Sequence, residues 1–228
     1  MTKTKLMTTT LLSCISAILI PIFMMLNAVN FFTPAQHTLE KRQPSIWPPQ
    51  LNKPYPDLEL IDQDGMKFKL SDLKGRVIII EPTGMNCPAC QAFSGAHEYG
   101  AYQNNAVEQH SKSFRKIFPQ YAKGLKLPSK DIFFVQLLLY DMKMGPPRPE
   151  DAANWAKHFN IRKKDYHIVA VSPYDLRSQA SYNLVPGFQL IDRDFNLRAD
   201  SSGHHPKHNL YTQLIPLTPK LVSQKTRY

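Results

Sequence analysis

Arg76-Val77-Ile78-Ile79-Ile80-Glu81-Pro82-Thr83-Gly84-Met85-Asn86-Cys87-Pro88-Ala89-Cys90 decides the reading of this chain. A run of β-branched residues from Arg76 to Ile80 predicts a strand buried on both faces. Two thiols follow at a loop-to-helix junction, two residues apart. Pro88 suits a first helical position, where a backbone N–H has no partner to lose. Cys87 then sits at the helix start, where unpaired N–H groups and the helix dipole favour its thiolate. Cys90 lies one turn further in and is expected to be more buried. The spacing lets Cys87 attack a disulfide and Cys90 resolve the mixed disulfide that forms.

The rest of the chain sharpens this. Of three cysteines, Cys14 lies in a hydrophobic N-terminal stretch, so the remaining sequence holds one CxxC pair and no other thiol. That is no disulfide framework. A structural zinc site would need two more ligands, and no second CxxC exists. Net charge is +10, but the basic residues are scattered and form no stripe interleaved with aromatics. Nucleic-acid binding is therefore not expected.

Outward from the pair, Leu58–Asp62 and Lys67–Leu70 predict a hairpin across Asp64-Gly65. A mostly helical stretch is expected from Cys90 to about Lys123. Further strands are expected at Asp131–Tyr140, Tyr166–Val171 and Leu184–Asp192, the last pairing with Asn196–Ala199. Helices are expected at Glu150–Phe159 and from near Pro206. Strands alternating with helices indicate an α/β fold, a mixed central β-sheet flanked by helices.

Lys3 and Lys5 precede an uncharged segment whose apolar part, Leu11 to Phe32, is long enough to cross a hydrocarbon core of ~30 Å as a helix. The reading is a cytoplasmic tail over 1–10, a transmembrane anchor over 11–32, a proline-rich linker over 33–56 and a domain over 57–228. A cleaved signal peptide competes, although Leu26-Asn27-Ala28 is a poor cleavage site. A lipoprotein box at Leu11-Leu12-Ser13-Cys14 also competes, but its preceding apolar run is short. Lys3 and Lys5 favour an amino end left in the cytoplasm. The domain then faces an extracytoplasmic space, where disulfide chemistry is sustained.

Four stretches together resemble the thioredoxin-like superfamily, especially the membrane-tethered thiol–disulfide oxidoreductases and redoxins of the bacterial cell envelope. They are Leu58–Leu70, Leu73-Lys74-Gly75-Arg76-Val77-Ile78-Ile79-Ile80, Cys87-Pro88-Ala89-Cys90 and Val185-Pro186-Gly187-Phe188-Gln189-Leu190-Ile191-Asp192. The resemblance spans about residues 55–215. It implies a thioredoxin-like fold on a single-pass anchor in the bacterial inner membrane, with the domain in the periplasm. It implies a redox-active Cys87–Cys90 disulfide and no separate cofactor. Pro186 is implied to be cis, so that Pro88, Val185 and Pro186 flank a bound substrate. Glu81 is implied to be the buried acid that handles the proton of Cys90, and burial should raise its pKa into a useful range. Implied partners are thiol- or disulfide-bearing envelope proteins and a membrane electron donor or acceptor. The pattern departs at Asn86, where an aromatic is usual, and at Pro82-Thr83-Gly84-Met85.

The sequence leaves three alternatives open. In peroxiredoxins a threonine stands where Gly84 is, and a second cysteine three residues on is not their habit, so a peroxidase is unlike this pattern. A thioredoxin-fold copper chaperone would use Cys87, Cys90 and a distal histidine, His204 or His205, since thiolates suit Cu(I). Its cysteines are usually three residues apart. The third is a non-catalytic interaction module that keeps a redox-active pair.

Overall fold

The computed structural model describes residues 47–224. Seven strands form one mixed sheet: β1 (Glu59–Asp62), β2 (Lys67–Lys69), β3 (Val77–Gly84), β4 (Ile132–Tyr140), β5 (His167–Val171), β6 (Gly187–Ile191) and β7 (Leu197–Ser202), in spatial order β2-β1-β5-β4-β3-β6-β7. The three central strands β5, β4 and β3 are parallel, while β1, β2, β6 and β7 pair antiparallel. The helices are α1 (Pro88–Ser94), α2 (Ala96–Tyr99), α3 (Phe114–Tyr121), α4 (Pro149–His158), α5 (Gln179–Tyr182) and α6 (Ile215–Ser223).

Alternation along β3 explains why it is apolar throughout. Ile78 and Ile80 enter one cluster with Leu58, Leu60, Val135 and Leu137. Val77 and Ile79 enter another on the opposite face, with Phe114 and Phe118 of α3 and Ile215 and Leu221 of α6. Phe114 stacks on Phe188 with ring centroids 4.3 Å apart. Burial on both faces leaves no place for a polar residue without a partner. Two polar residues nonetheless sit opposite each other in the parallel pairing of β3 and β4: Glu81 and Gln136.

Several expectations need correction. The helical stretch from Cys90 to about Lys123 is broken. α1 stops at Gly95, whose φ of +119° is a conformation other residues rarely adopt. The chain continues through α2 and a short 3₁₀ turn at Tyr102–Asn104, runs irregularly to Ser113, and only then forms α3. The final helix starts later than Pro206. A π-turn at Leu210–Leu214, capped by Asn209 through the N–H groups of Tyr211 and Thr212, leads into α6. The short helix α5, capped by Ser178, was not expected.

Residues 47–56, the end of the stretch read as a proline-rich linker, lie on the domain. Trp47 Nε1 donates to Ser181 Oγ at 2.8 Å, Tyr55 OH to Gln189 Oε1 at 2.7 Å. The backbone of 52–55 exchanges hydrogen bonds with Phe195 and Leu197. This segment covers part of the edge beside β7, which would otherwise expose unpaired backbone groups. The expected anchor over 11–32 lies outside the described residues. Among the described residues, no helix is long and apolar enough to cross a membrane.

Candidate active site

The site forms where β3 ends and α1 begins, at the carboxyl end of the central parallel strands. Ligand and reaction sites of open α/β sheets gather at that end. A register shift between Thr83 and Gly84 ends the regular pairing of β3 with β4. Irregularities of this kind re-aim the chain next to a site. Cys87 is the N-cap of α1, with extended backbone (φ −78°, ψ 120°), and Pro88 follows at the first helical position. Cys87 Sγ accepts the backbone N–H of Cys90 at 3.3 Å.

The two thiols are free and differ in their surroundings. Cys87 is half-buried; Cys90 is fully buried. A hydrogen bond from the Cys90 thiol, helped by the N–H groups of Cys90 and Ala89, brings the Cys87 thiol down from 9.0 to about 7, against the opposing effect of partial burial. Cys90 is pushed well above the usual thiol range, first by burial and then by its bond to Cys87 and by repulsion from Cys87 and Glu81. The physical result is one thiol that ionises more readily than a free cysteine and one held in its protonated form.

Glu81 is completely buried on β3. Burial lifts its carboxyl from 4.5 to about 8, the Gln136 hydrogen bond pulls the other way, and the charge on Cys87 raises it further. Gln136 Nε2 donates to Glu81 Oε2 at 2.7 Å and to Ser94 Oγ of α1 at 2.7 Å. Gln136 and Ser94 are the site residues that reading the sequence missed. The signal for Gln136 was present, one amide inside the run Ile132-Phe133-Phe134-Val135-Gln136-Leu137-Leu138-Leu139-Tyr140.

Val185 and Pro186 arrive from the loop before β6, joined by a cis peptide bond. Val185 Cγ1 and Cys87 Cβ both lie within 3.6 Å of the point where a Cβ on Gly84 would sit. Cys87 packs against the same apolar cluster as Val185 and Cys90. Thus Cys87, Cys90, Pro88, Val185 and Pro186 are brought to one place, with Glu81 beneath. The segment 105–113 also reaches the pair, since the N–H of Glu108 donates to the carbonyl of Pro88 at 3.1 Å.

The alternative metal set of Cys87, Cys90, His204 and His205 is not assembled. The loop that carries both histidines starts beside Pro186, whose carbonyl accepts from Gly203 N–H at 2.8 Å. Both histidines are exposed, and His208 is engaged with the Asp200 backbone. Among the described residues, no three His, Cys, Asp or Glu side chains are gathered to hold a metal ion.

No family model matches the chain, and no curated protein sequence matches it significantly. Solved structures do. The chain is similar to a candidate electron transport protein from Aquifex aeolicus VF5, at 18% identity and a TM-score of 0.51, over 76% of this chain and 99% of that one. It is also similar to a SCO1/SenC family lipoprotein from Bacillus anthracis str. Ames, at 19% identity and a TM-score of 0.48, over 76% and 100% of the two chains. A third is the thioredoxin domain of a thiol-disulfide oxidoreductase from Bacteroides vulgatus, at 16% identity and a TM-score of 0.43, over 72% and 94%.

Proposed function

We propose that this chain, whose mixed sheet matches the fold of the electron transport protein above, is a thioredoxin-like thiol–disulfide oxidoreductase acting on other envelope proteins through Cys87 and Cys90. The observation that carries this is the asymmetry of the pair: a half-buried Cys87 at about 7 beside a buried, raised Cys90. Cys87 thiolate attacks a partner's disulfide and forms a mixed disulfide, releasing one partner thiolate. Cys90 then attacks Cys87 Sγ, closing the Cys87–Cys90 disulfide and releasing the second. Glu81 takes the proton of Cys90. The reverse sequence oxidises a partner dithiol, and the reduction potential decides which direction runs.

Equilibration of the full-length protein against glutathione tests this. The expected result is a single two-electron transition of the Cys87–Cys90 pair, with reduction of insulin by the reduced form. A pair that stays reduced under oxidised glutathione, or insulin reduction no faster than the uncatalysed rate, sinks the reading. Stoichiometric Cu(I) binding without exchange activity would move it to copper handling.

The proposal includes the anchor over 11–32, holding the domain outside the cytoplasm on the linker from 33. The supporting features are the uncharged apolar stretch and Lys3 and Lys5 before it. The full-length chain is expected to stay in the membrane pellet after alkaline carbonate washing. Release into the supernatant would count against the anchor.

A further inference from the structure

The buried pair Glu81 and Gln136 has an unusual hydrogen-bond inventory. Gln136 spends both of its amide N–H groups, one on the Glu81 carboxylate and one on the Ser94 hydroxyl. Gln136 Oε1 and Glu81 Oε1 are buried and have no hydrogen-bond partner. Unpartnered oxygens in an apolar interior are costly. They make sense if the arrangement shown is one of two.

A carboxamide presents two donors on one arm and two lone pairs on the other, in nearly the same shape. With Glu81 ionised, the amide nitrogen faces it and donates, as observed. With Glu81 protonated, the amide turned by half a revolution places its oxygen between the Glu81 O–H and the Ser94 O–H, and accepts from both. Leucine or methionine at 136 could serve neither state, and lysine only the ionised one. We propose that Gln136 is a positioning residue whose turning amide, steadied by Ser94, holds Glu81 through both protonation states and so sets the pH range in which Cys90 loses its proton. This rests on the redox reading of the pair. The charged or titratable groups acting on the Glu81 carboxyl are Cys87 and Cys90, from the start of α1; β4 brings only the neutral Gln136, and α1 the neutral Ser94.

The test uses the full-length reduced protein and the aromatic disulfide DTNB as oxidant. Cys87 thiolate attacks its S–S bond, forms a mixed disulfide and releases one thionitrobenzoate. Cys90 then passes its proton to Glu81, attacks Cys87 Sγ and expels the second thionitrobenzoate, which stopped-flow absorbance reports separately. In the parent protein the second phase is expected to rise with pH through an inflection that Glu81→Gln removes. Gln136→Met, which withdraws the hydrogen bond to the carboxylate, is expected to move that inflection up by about one pH unit. The first phase should change by less than about twofold, because Cys87 keeps its own donors at the helix start.

Ser94→Ala should move the inflection the same way by less, and supplies the measurement if Gln136→Met does not fold. An inflection at the parental pH in the folded variants overturns the inference, as does a second phase whose pH profile survives Glu81→Gln. Absence of any second release from the parent protein instead takes down the redox reading itself.

Discussion

Cys87→Ser is expected to abolish exchange with disulfide substrates, while Cys90→Ser is expected to keep the first attack and accumulate mixed disulfides. The reason is thiolate supply. At neutral pH a thiol at about 7 is about half ionised, whereas one left at 9.0 is about one per cent ionised. A serine hydroxyl supplies no comparable anion. Cys90 is buried and held in its protonated form, so it cannot replace Cys87 as the attacking group. Iodoacetamide labelling should therefore reach half its maximal rate near pH 7 at Cys87 and leave Cys90 unlabelled. In Cys90→Ala the side-chain donor that contributes most to lowering Cys87 is gone, so the half-maximal pH should rise, with the N–H groups of residues 89 and 90 limiting the change. Equal labelling of both cysteines, or exchange activity that persists in Cys87→Ser, would remove the basis of the assigned roles.

Glu81→Gln should make the reduced protein more stable at alkaline pH and flatten its dependence of stability on pH. Folding raises this carboxyl from 4.5 to about 8. Between those values the folded protein keeps a proton that the unfolded chain has released, so stability falls as pH rises, by up to about 1.4 kcal/mol per unit. Across the window the loss is on the order of 3–5 kcal/mol, offset in part by relaxation around the site. Cys87 contributes with the opposite sign, because its lowered pKa adds stability as pH rises past about 7. Comparing Glu81→Gln with the parent largely cancels that contribution. Urea unfolding of both proteins from about pH 5 to about pH 8.5 should give curves that diverge with pH in favour of the variant. Parallel curves would mean that Glu81 is not a carboxyl held neutral by burial. The same variant is expected to lose the pH inflection in resolution by Cys90.

Much of the site was legible in the residues. The spacing of Cys87 and Cys90, with Pro88 between them, specifies a helix start, because proline and an N-cap acceptor each suit one end of a helix only. Four successive apolar β-branched residues announced β3. Glu81 directly after them was visible as a polar residue with nowhere to go. The helix boundaries from residue 90 to 123 were only partly legible: Phe114, Ile117, Phe118 and Tyr121 carry the spacing of α3, but the small residues before them do not show where α1 stops. Gly95 and Gly100, both at positive φ, break the chain there. Nor could the sequence show that residues 47–56 pack on the domain, because prolines specify an extended chain and not what it lies against.

By itself, then, the amino-acid order determined the local arrangement: a cysteine at a helix tip, a second thiol one turn on, and an acid in an apolar strand. These follow from near-neighbour geometry, within a turn of helix or a step of strand. Only the tertiary structure decided what faces what. Gln136 stands 55 residues from Glu81 and meets it because β3 and β4 pair in one particular parallel register. Val185 reaches Cys87 because β6 lies beside β3. His204 and His205 follow Gly203, which bonds Pro186, yet both are exposed and gather with no cysteine as a metal set among the described residues. Register and strand order are settled by the summed burial of two sheet faces, a property of the whole core that no short stretch of sequence contains.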